Sequence, residues 1–316
     1  MSDRLLAVAE AHHGVLATHD ATRLDVDANA LSALVRAGVV VRVRHGAYVL
    51  SQVWAGAGPE QRLALRTRAV LRARGTRPDA ATHQSALALH GLPLQGVELD
   101  VVDVSGSVTR VRRRAGLRVH PADPGLTVGD VEGCRAVSVD VALAQVVLRA
   151  GRDPAVIAAD RAFGTGRADL DRSVAVVHRI ADSPRQALRA ERWLRQTDPA
   201  SESVGESRTR LLLSDLGHPV RSQVRLTDAF GTVVARVDLL VGEHVVVEFD
   251  GLVKYEGAEG RSALAAEKRR EDVVRSLGYE VVRLTWADLS RPRRVDALVR
   301  SAIERAAARR PAQPAS

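Results

Sequence analysis

Two apolar runs toward the C-terminal end constrain this chain most, because each carries a carboxylate where a sheet would bury it. They are Thr232–Val241, ending Val-Val-Ala-Arg-Val-Asp-Leu-Leu-Val, and Val245–Asp250, Val-Val-Val-Glu-Phe-Asp. Both read as strands, and Asp238 and Glu248 interrupt them although burying an unpaired charge is costly. If Gly242-Glu243-His244 is a three-residue loop, Val241 faces Val245 and pairing runs back until Asp238 faces Glu248. Alternation then puts Asp250 on the face of Glu248 and turns Val247 and Phe249 to the other. Like charges directly opposite in a sheet repel. A divalent cation between them would turn that repulsion into binding, and an oxygen-only donor set favours Mg²⁺ or Mn²⁺.

The surroundings extend the pattern. Ser203-Val-Gly-Glu206 opens the region, followed by Leu211, Leu212, Leu213 and Leu216 at helical spacing and a strand-like run Val220–Leu226. A helix fits about 262–277, a strand Tyr279–Leu284, and a last helix 293–308. Glu206 stands three after Ser203, a capping box that needs no metal. Arg236 and Arg283 are within reach of the strand acids as ion-pair partners. Of 46 basic residues only Lys254 and Lys268 are lysines, both beside this acid cluster. A lysine's compact ammonium shifts its pKa where a guanidinium does not.

The region resembles the PD-(D/E)XK restriction-endonuclease-like fold, in the branch of very-short-patch-repair-like endonucleases. The residues that carry the resemblance are Glu248-Phe-Asp250-Gly251-Leu-Val-Lys254-Tyr255, Glu267-Lys268-Arg269-Arg270, and Gly278-Tyr279-Glu-Val281-Val-Arg283-Leu-Thr-Trp286. The resemblance implies a mixed sheet and metal-dependent hydrolysis of DNA phosphodiester bonds, with Asp238, Glu248 and Glu206 as metal ligands and catalytic acids. Asp250 stands where the common pattern has Lys, so Lys254 is the expected catalytic ammonium. Asp250, Lys268 and Arg270 are further candidates for catalysis or phosphate binding.

The first 53 residues read as three helices and a hairpin: 4–12, 18–24, and 28–37 with Asp27 as N-cap and Gly38 as stop, then strand-like runs Val39–Val43 and Ala47–Leu50 around Arg44-His45-Gly46. This is the winged-helix order, in which the third helix enters the major groove and the wing touches phosphate. Asn29, Ser32 and Arg36 are the polar readers on that helix, and Arg42, Arg44 and His45 belong to the wing. The segment carries five Arg and five acids, so its net charge of zero gives it little nonspecific attraction for DNA by itself. Use of the motif for protein contacts is the competing reading.

Residues 54–200 carry an excess of six positive charges. Helices fit 60–74, 83–90, 140–149, 153–164 and 184–196, with a small β insert at 98–103, 108–112 and 117–120. Arg110, Arg112, Arg113 and Arg114 near a turn are candidate phosphate contacts, whereas Arg62, Arg66, Arg68 and Arg72 read as a solvated helix face. His83 and His90 share a helix face without a third ligand, which favours structural roles over metal. Residues 1–150, including the stretch Ser85-Ala-Leu-Ala-Leu-His-Gly91, resemble the AbiEi-type antitoxins of type IV toxin–antitoxin systems. That resemblance implies promoter DNA and a cognate toxin protein as partners.

The expected architecture is a multidomain α+β and α/β chain: winged helix 1–53, helical middle domain with β insert 54–200, nuclease-like α/β domain 201–310 and a disordered tail 311–316. A length of 316 residues suits two or three domains. The single Cys134 excludes a disulfide framework or a multi-cysteine zinc site. No apolar run approaches the roughly 18 residues of a membrane span, and the start lacks a signal-peptide pattern. A cytoplasmic protein with no membrane and no disulfide partner is expected. Three functions compete: a magnesium-dependent DNA endonuclease, a noncatalytic DNA-binding regulator on an inactive nuclease fold, and a protein-interaction module.

Overall fold

The computed structural model describes residues 3–228, 230–251, 268 and 270–309. Mixed helices and sheets form two compact units that divide between Thr197 and Asp198.

The first unit begins with α1 (Asp3–Ala11), β1 (Val15–Ala17), α2 (Thr18–Thr22) and α3 (Ala28–Arg36), then β2 (Val40–Arg44) and β3 (Ala47–Leu50). The three strands form an antiparallel sheet in the order β1-β3-β2. Asp27 caps α3, its Oδ1 accepting from the Ala30 N–H at 2.7 Å, an interaction worth about 1 kcal/mol. Gly46 turns the hairpin at φ 76°, a backbone conformation that side chains rarely tolerate. Leu5, Leu31 and Leu50 pack on one face of this sheet. Val15, Ala47 and Val49 pack on the other against Leu65 and Ala69 of α5 (Pro59–Ala73), which follows the short helix α4 (Ser51–Gly56).

The rest of this unit surrounds a six-stranded mixed sheet: β4 (Ala80–Ala81), β5 (Val102–Gly106), β6 (Arg112–Arg114), β7 (Leu117–Pro121), β8 (Val128–Val131) and β9 (Cys134–Val137), in the order β6-β7-β5-β4-β9-β8. Its helices are α6 (His83–Leu89), α7 (Val139–Ala150), α8 (Arg152–Gly164), α9 (Leu170–Ile180) and α10 (Pro184–Leu194). The sheet is larger than the expected insert. β4 is two residues long and β8 is mostly exposed, so neither shows the alternation that marks a strand in sequence. α9 lies outside the helices expected from sequence, since it fully buries only Ser173 and Val177.

The second unit runs α11 (Val204–Asp215), β10 (Val220–Thr227), β11 (Val233–Val241), β12 (Val245–Phe249), a helical segment 270–276 (α12), β13 (Glu280–Leu284), α13 (Trp286–Leu289) and α14 (Pro292–Arg309). β10, β11 and β12 are antiparallel and β13 joins β12 in parallel, so the sheet is mixed. Val241 pairs with Val245, Leu240 with Val246 and Leu239 with Val247, the register expected from a three-residue loop. Leu239, Val241, Val245 and Val247 pack with Leu213 of α11 and Val295 and Val299 of α14. Leu240 and Val246 pack on the other side with Val274 of α12. Among the described residues no helix is long and apolar enough to cross a membrane.

One close approach in this unit leaves no room for a side chain. A Cβ at Gly205 on α11 would overlap the Phe249 ring at the end of β12, and that ring is also held edge-on by Trp286 at 4.8 Å. Gly205→Ala is expected to destabilise the chain by about 1–3 kcal/mol, read from the urea midpoint. An unchanged midpoint would mean that Phe249 does not press on α11.

Candidate nucleic-acid interface and acidic site

On α3 the cap at Asp27 and the burial of Leu31 fix which face is solvated. Asn29, Ser32 and Arg36 are all exposed, and their spacing places them along one side of the helix. The β2–β3 hairpin adds Arg42 and His45, with Arg42 Nη2 at 2.8 Å from His45 Nδ1. Arg44 is half-buried and donates to the Ala115 carbonyl in the β6–β7 turn. This bond ties the two hairpins together beside Arg112 and Arg113, which are exposed on β6. Burial lowers the pKa of Arg44, and the charges of Arg74 and Arg114 lower it further. Of these two neighbours Arg74 is already paired with Asp79, whereas Arg114 is exposed on β6.

The arginines of α5 are not the solvated face that their spacing suggested. Arg62 and Arg66 lie over the Trp54 ring at 5.3 and 5.4 Å, and Arg66 also donates to the Leu99 carbonyl. Arg68 pairs with Glu132, and Arg72 grips Asp20 with two bonds of 2.6 Å. Asp20 is buried and also accepts from the Ala17 N–H at the start of α2. Burial pushes its carboxyl up, but Arg72 and the Ala17 amide outweigh this and hold it below the usual range.

In the second unit the β11–β12 register, carried one step further, sets Asp238 beside Glu248, and the Phe249 N–H donates to Asp238 Oδ2 at 3.3 Å. Glu248 meets Arg270 of α12 at 2.6 Å and Arg283 of β13 at 3.7 Å. Glu206 lies in the first turn of α11, capped by Ser203. Its Oε2 accepts from the Glu202 N–H at 3.0 Å and from Gln223 Nε2 at 2.7 Å. Gln223 holds φ 53° within a strand, and nothing in its sequence context marked it. Arg236 pairs with Glu202 rather than with the strand acids. Asp250 is exposed, its N–H bonded to the Leu284 carbonyl, and Lys268 is exposed and helical. Lys254 lies outside the described residues.

Asp238 differs from the other acids. Burial first, then the charge of Glu206, then that of Glu248 raise its carboxyl to about 6, against the lowering pull of the Phe249 N–H and Arg270. Glu206 and Glu248 acting on Asp238 make a set of hard oxygen donors of the type Mg²⁺ or Mn²⁺ takes, although their oxygens do not all lie within 4.8 Å of one another. Arg270 and Arg283 already supply cations to Glu248, so an ion there would compete with them.

Among the described residues, the one group of three metal-capable side chains whose ligand atoms all lie within 4.8 Å is instead His83, Asp103 and His120. Asp103 is fully buried and accepts from His120 at 2.6 Å, Gln84 at 2.7 Å, Arg149 at 3.2 Å and Arg118 at 3.4 Å. The two imidazoles stack at 4.3 Å, so their in-plane lone pairs run side by side rather than converging. Two guanidiniums on the carboxylate make this a buried ion-pair network. Burial, then His120, lowers the His83 pKa to about 3 and keeps that ring neutral. His90 bonds the Val137 carbonyl instead, whereas His83 has Asp103 and His120 beside it, neighbours that the helix spacing alone did not show.

Residues 3–51 match a family described as transcriptional regulator, AbiEi antitoxin. The chain is similar to that family over α1 to β3, the stretch that carries the exposed face of α3 and the first hairpin. The match stops short of Ser85–Gly91, which the resemblance read from sequence includes. No curated protein matches the chain.

The raised Asp238 carboxyl has a pH signature. Unfolded, it titrates near 3.8; folded, it holds its proton to about 6. Its contribution therefore favours the folded state least at high pH, and stability is lost as pH rises from about 4 through 6. In EDTA, Asp238→Asn should raise the urea midpoint relative to wild type, more at pH 7.5 than at pH 4.5. A difference that is equal at both pH values would mean that Asp238 titrates normally.

Proposed function

We propose that this chain is a DNA-binding transcriptional regulator of the antitoxin kind, whose residues 1–53 form a winged helix that reads a promoter. The match of residues 3–51 to the AbiEi antitoxin regulators carries the reading. In it α3 enters the major groove, with Asn29, Ser32 and Arg36 at the base edges. Arg42 and His45, together with Arg112 and Arg113 on the neighbouring hairpin, hold phosphates. The Arg44–Ala115 bond lets the two hairpins act as one surface, which supplies the positive charge that the first 53 residues lack. A cognate toxin protein is the second proposed partner, as the family description implies.

This division of labour is measurable in binding isotherms. Replacing Arg42 and Arg113 by Ala should weaken binding to every duplex alike and flatten the dependence of log K on log salt by roughly 0.9 for each phosphate no longer neutralised. Asn29→Ala and Arg36→Ala should instead change which sequence is preferred, by about 1–3 kcal/mol at the base pair concerned. A chain whose duplex binding ignores all four changes does not read DNA through this segment.

A second reading is favoured by one observation, the raised carboxyl of Asp238 between Glu206 and Glu248. There the second unit is a PD-(D/E)XK-like nuclease, in which Glu206, Asp238 and Glu248 would hold Mg²⁺ or Mn²⁺. Such an ion supplies an activated water and charge stabilisation on a phosphoryl oxygen. Arg270 would move from Glu248 to a DNA phosphate, a bidentate partner for it. Lys254 or the exposed Lys268 would supply the ammonium. Nicking of supercoiled plasmid in Mg²⁺ or Mn²⁺, lost in Glu248→Gln while DNA binding stays intact, is the expected outcome. Wild-type protein that binds its promoter and cuts nothing would leave this fold a scaffold for the regulator.

A further inference from the structure

The first unit contains a basic cleft that neither the DNA face nor the acid cluster uses. The turn after α1, helix α2, the C-terminal end of α5 with the loop behind it, and the β8–β9 turn enclose about 330 Å³. Five guanidiniums and three imidazoles line it against two carboxylates, Asp79 and Glu132. Those carboxylates are engaged: Asp79 pairs with Arg74 and Glu132 with Arg68. Arg72 is committed to Asp20. Arg23, Arg77 and Arg135 are exposed, and among the described residues no carboxylate pairs with them. The cleft is therefore left with three uncompensated cations from three elements of the chain, beside His12, His13 and His19. His12 registers the field: burial and then the charge of Arg72 lower its pKa.

Concave walls focus such a field and raise the local concentration of an anion. Guanidiniums meet phosphate oxygens in bidentate pairs that a spherical halide ion cannot reproduce. The volume lies within the range of small-ligand sites, roughly 300–1,000 Å³. Position separates it from the proposed DNA face. α3 packs on the sheet face that carries Leu16 and Leu50; the wall residue Val15 belongs to the opposite face, with Leu65 and Ala69 of α5. No α3 residue lines the cleft.

We infer that this cleft binds a small phosphorylated molecule bearing at least two phosphate groups, held by Arg23, Arg77 and Arg135. Because α2 supplies part of the wall and Arg72 joins the cap of α2 to α5, the occupant sits where it touches the helix preceding α3. Its role as an effector rests on the regulator reading; its binding does not.

The test is calorimetry on the full chain, without DNA, using pyrophosphate, adenosine diphosphate and inorganic phosphate at constant ionic strength. Pyrophosphate and the diphosphate should bind at least 10-fold more tightly than inorganic phosphate. Arg77→Gln combined with Arg135→Gln should weaken them at least 10-fold, and Arg23→Gln alone should weaken them as well. Both arginines of the double variant are exposed, so its melting temperature without ligand should equal that of wild type. Its affinity for duplex DNA should stay within twofold. No binding of either diphosphate, or binding that these substitutions leave unchanged, overturns the inference. Parallel loss of duplex affinity also overturns it, by making the cleft part of the DNA surface. A chain that binds pyrophosphate in the cleft but no duplex would retain the site and defeat only the regulator reading.

Discussion

A carboxylate withdrawn from water must be met by donors or cations, or it must take up a proton. Among the carboxylates that this chain withdraws from water, Asp20 and Asp103 are buried and Asp238 is half-buried, and the three meet different partners. Asp20 is met by Arg72 and the Ala17 amide, and Asp103 by His120, Gln84, Arg149 and Arg118. Burial pushes Asp103 up, but the His120 hydrogen bond and the charge of Arg149 prevail and hold its carboxyl below the usual range. Asp238 receives one backbone N–H and faces two acids, and it is the one pushed up to about 6. The first two arrangements are braces. The third is an arrangement that a cation or proton completes, which is why it is the candidate for chemistry.

The brace at Asp20 also explains how the first 50 residues are carried. A small helical segment with one three-stranded sheet buries little by itself. Here α5 covers the second face of that sheet, and Arg72 anchors the start of α2 to it. The Arg44–Ala115 bond adds a second tie, between the two hairpins. The segment that matches the antitoxin regulators is thereby joined to the sheet that supplies the basic surface and one wall of the cleft.

Arginine performs distinct tasks according to what lies opposite it. Arg62 and Arg66 cover an indole ring, Arg68 and Arg72 neutralise acids, and Arg23, Arg77 and Arg135 meet no acid among the described residues. Composition alone made these residues equivalent. Partner geometry separates cations that hold the fold from cations available to a ligand.

The amino-acid sequence by itself determined most of the local order, three helices and a hairpin at the start and helix, three strands, helix, strand and helix at the end, but not β1 between the first two helices or the short α13. Cap residues, turn glycines and apolar periodicity act over a few residues, so they are visible without a fold. The β11–β12 register was also legible, because a three-residue loop sets it and a slip would expose every valine. Tertiary structure alone decided the rest. β4 and β8 are strands only because neighbours pair with them, and Gln223 supports Glu206 only because a strand passes the first turn of α11. The Arg270–Glu248 pair joins residues 22 apart, Asp20 and Arg72 stand 52 apart, and the walls of the cleft come from three separate stretches. Charge partnership across such distances leaves no period in a sequence; it exists only once packing has chosen which side chains leave water together.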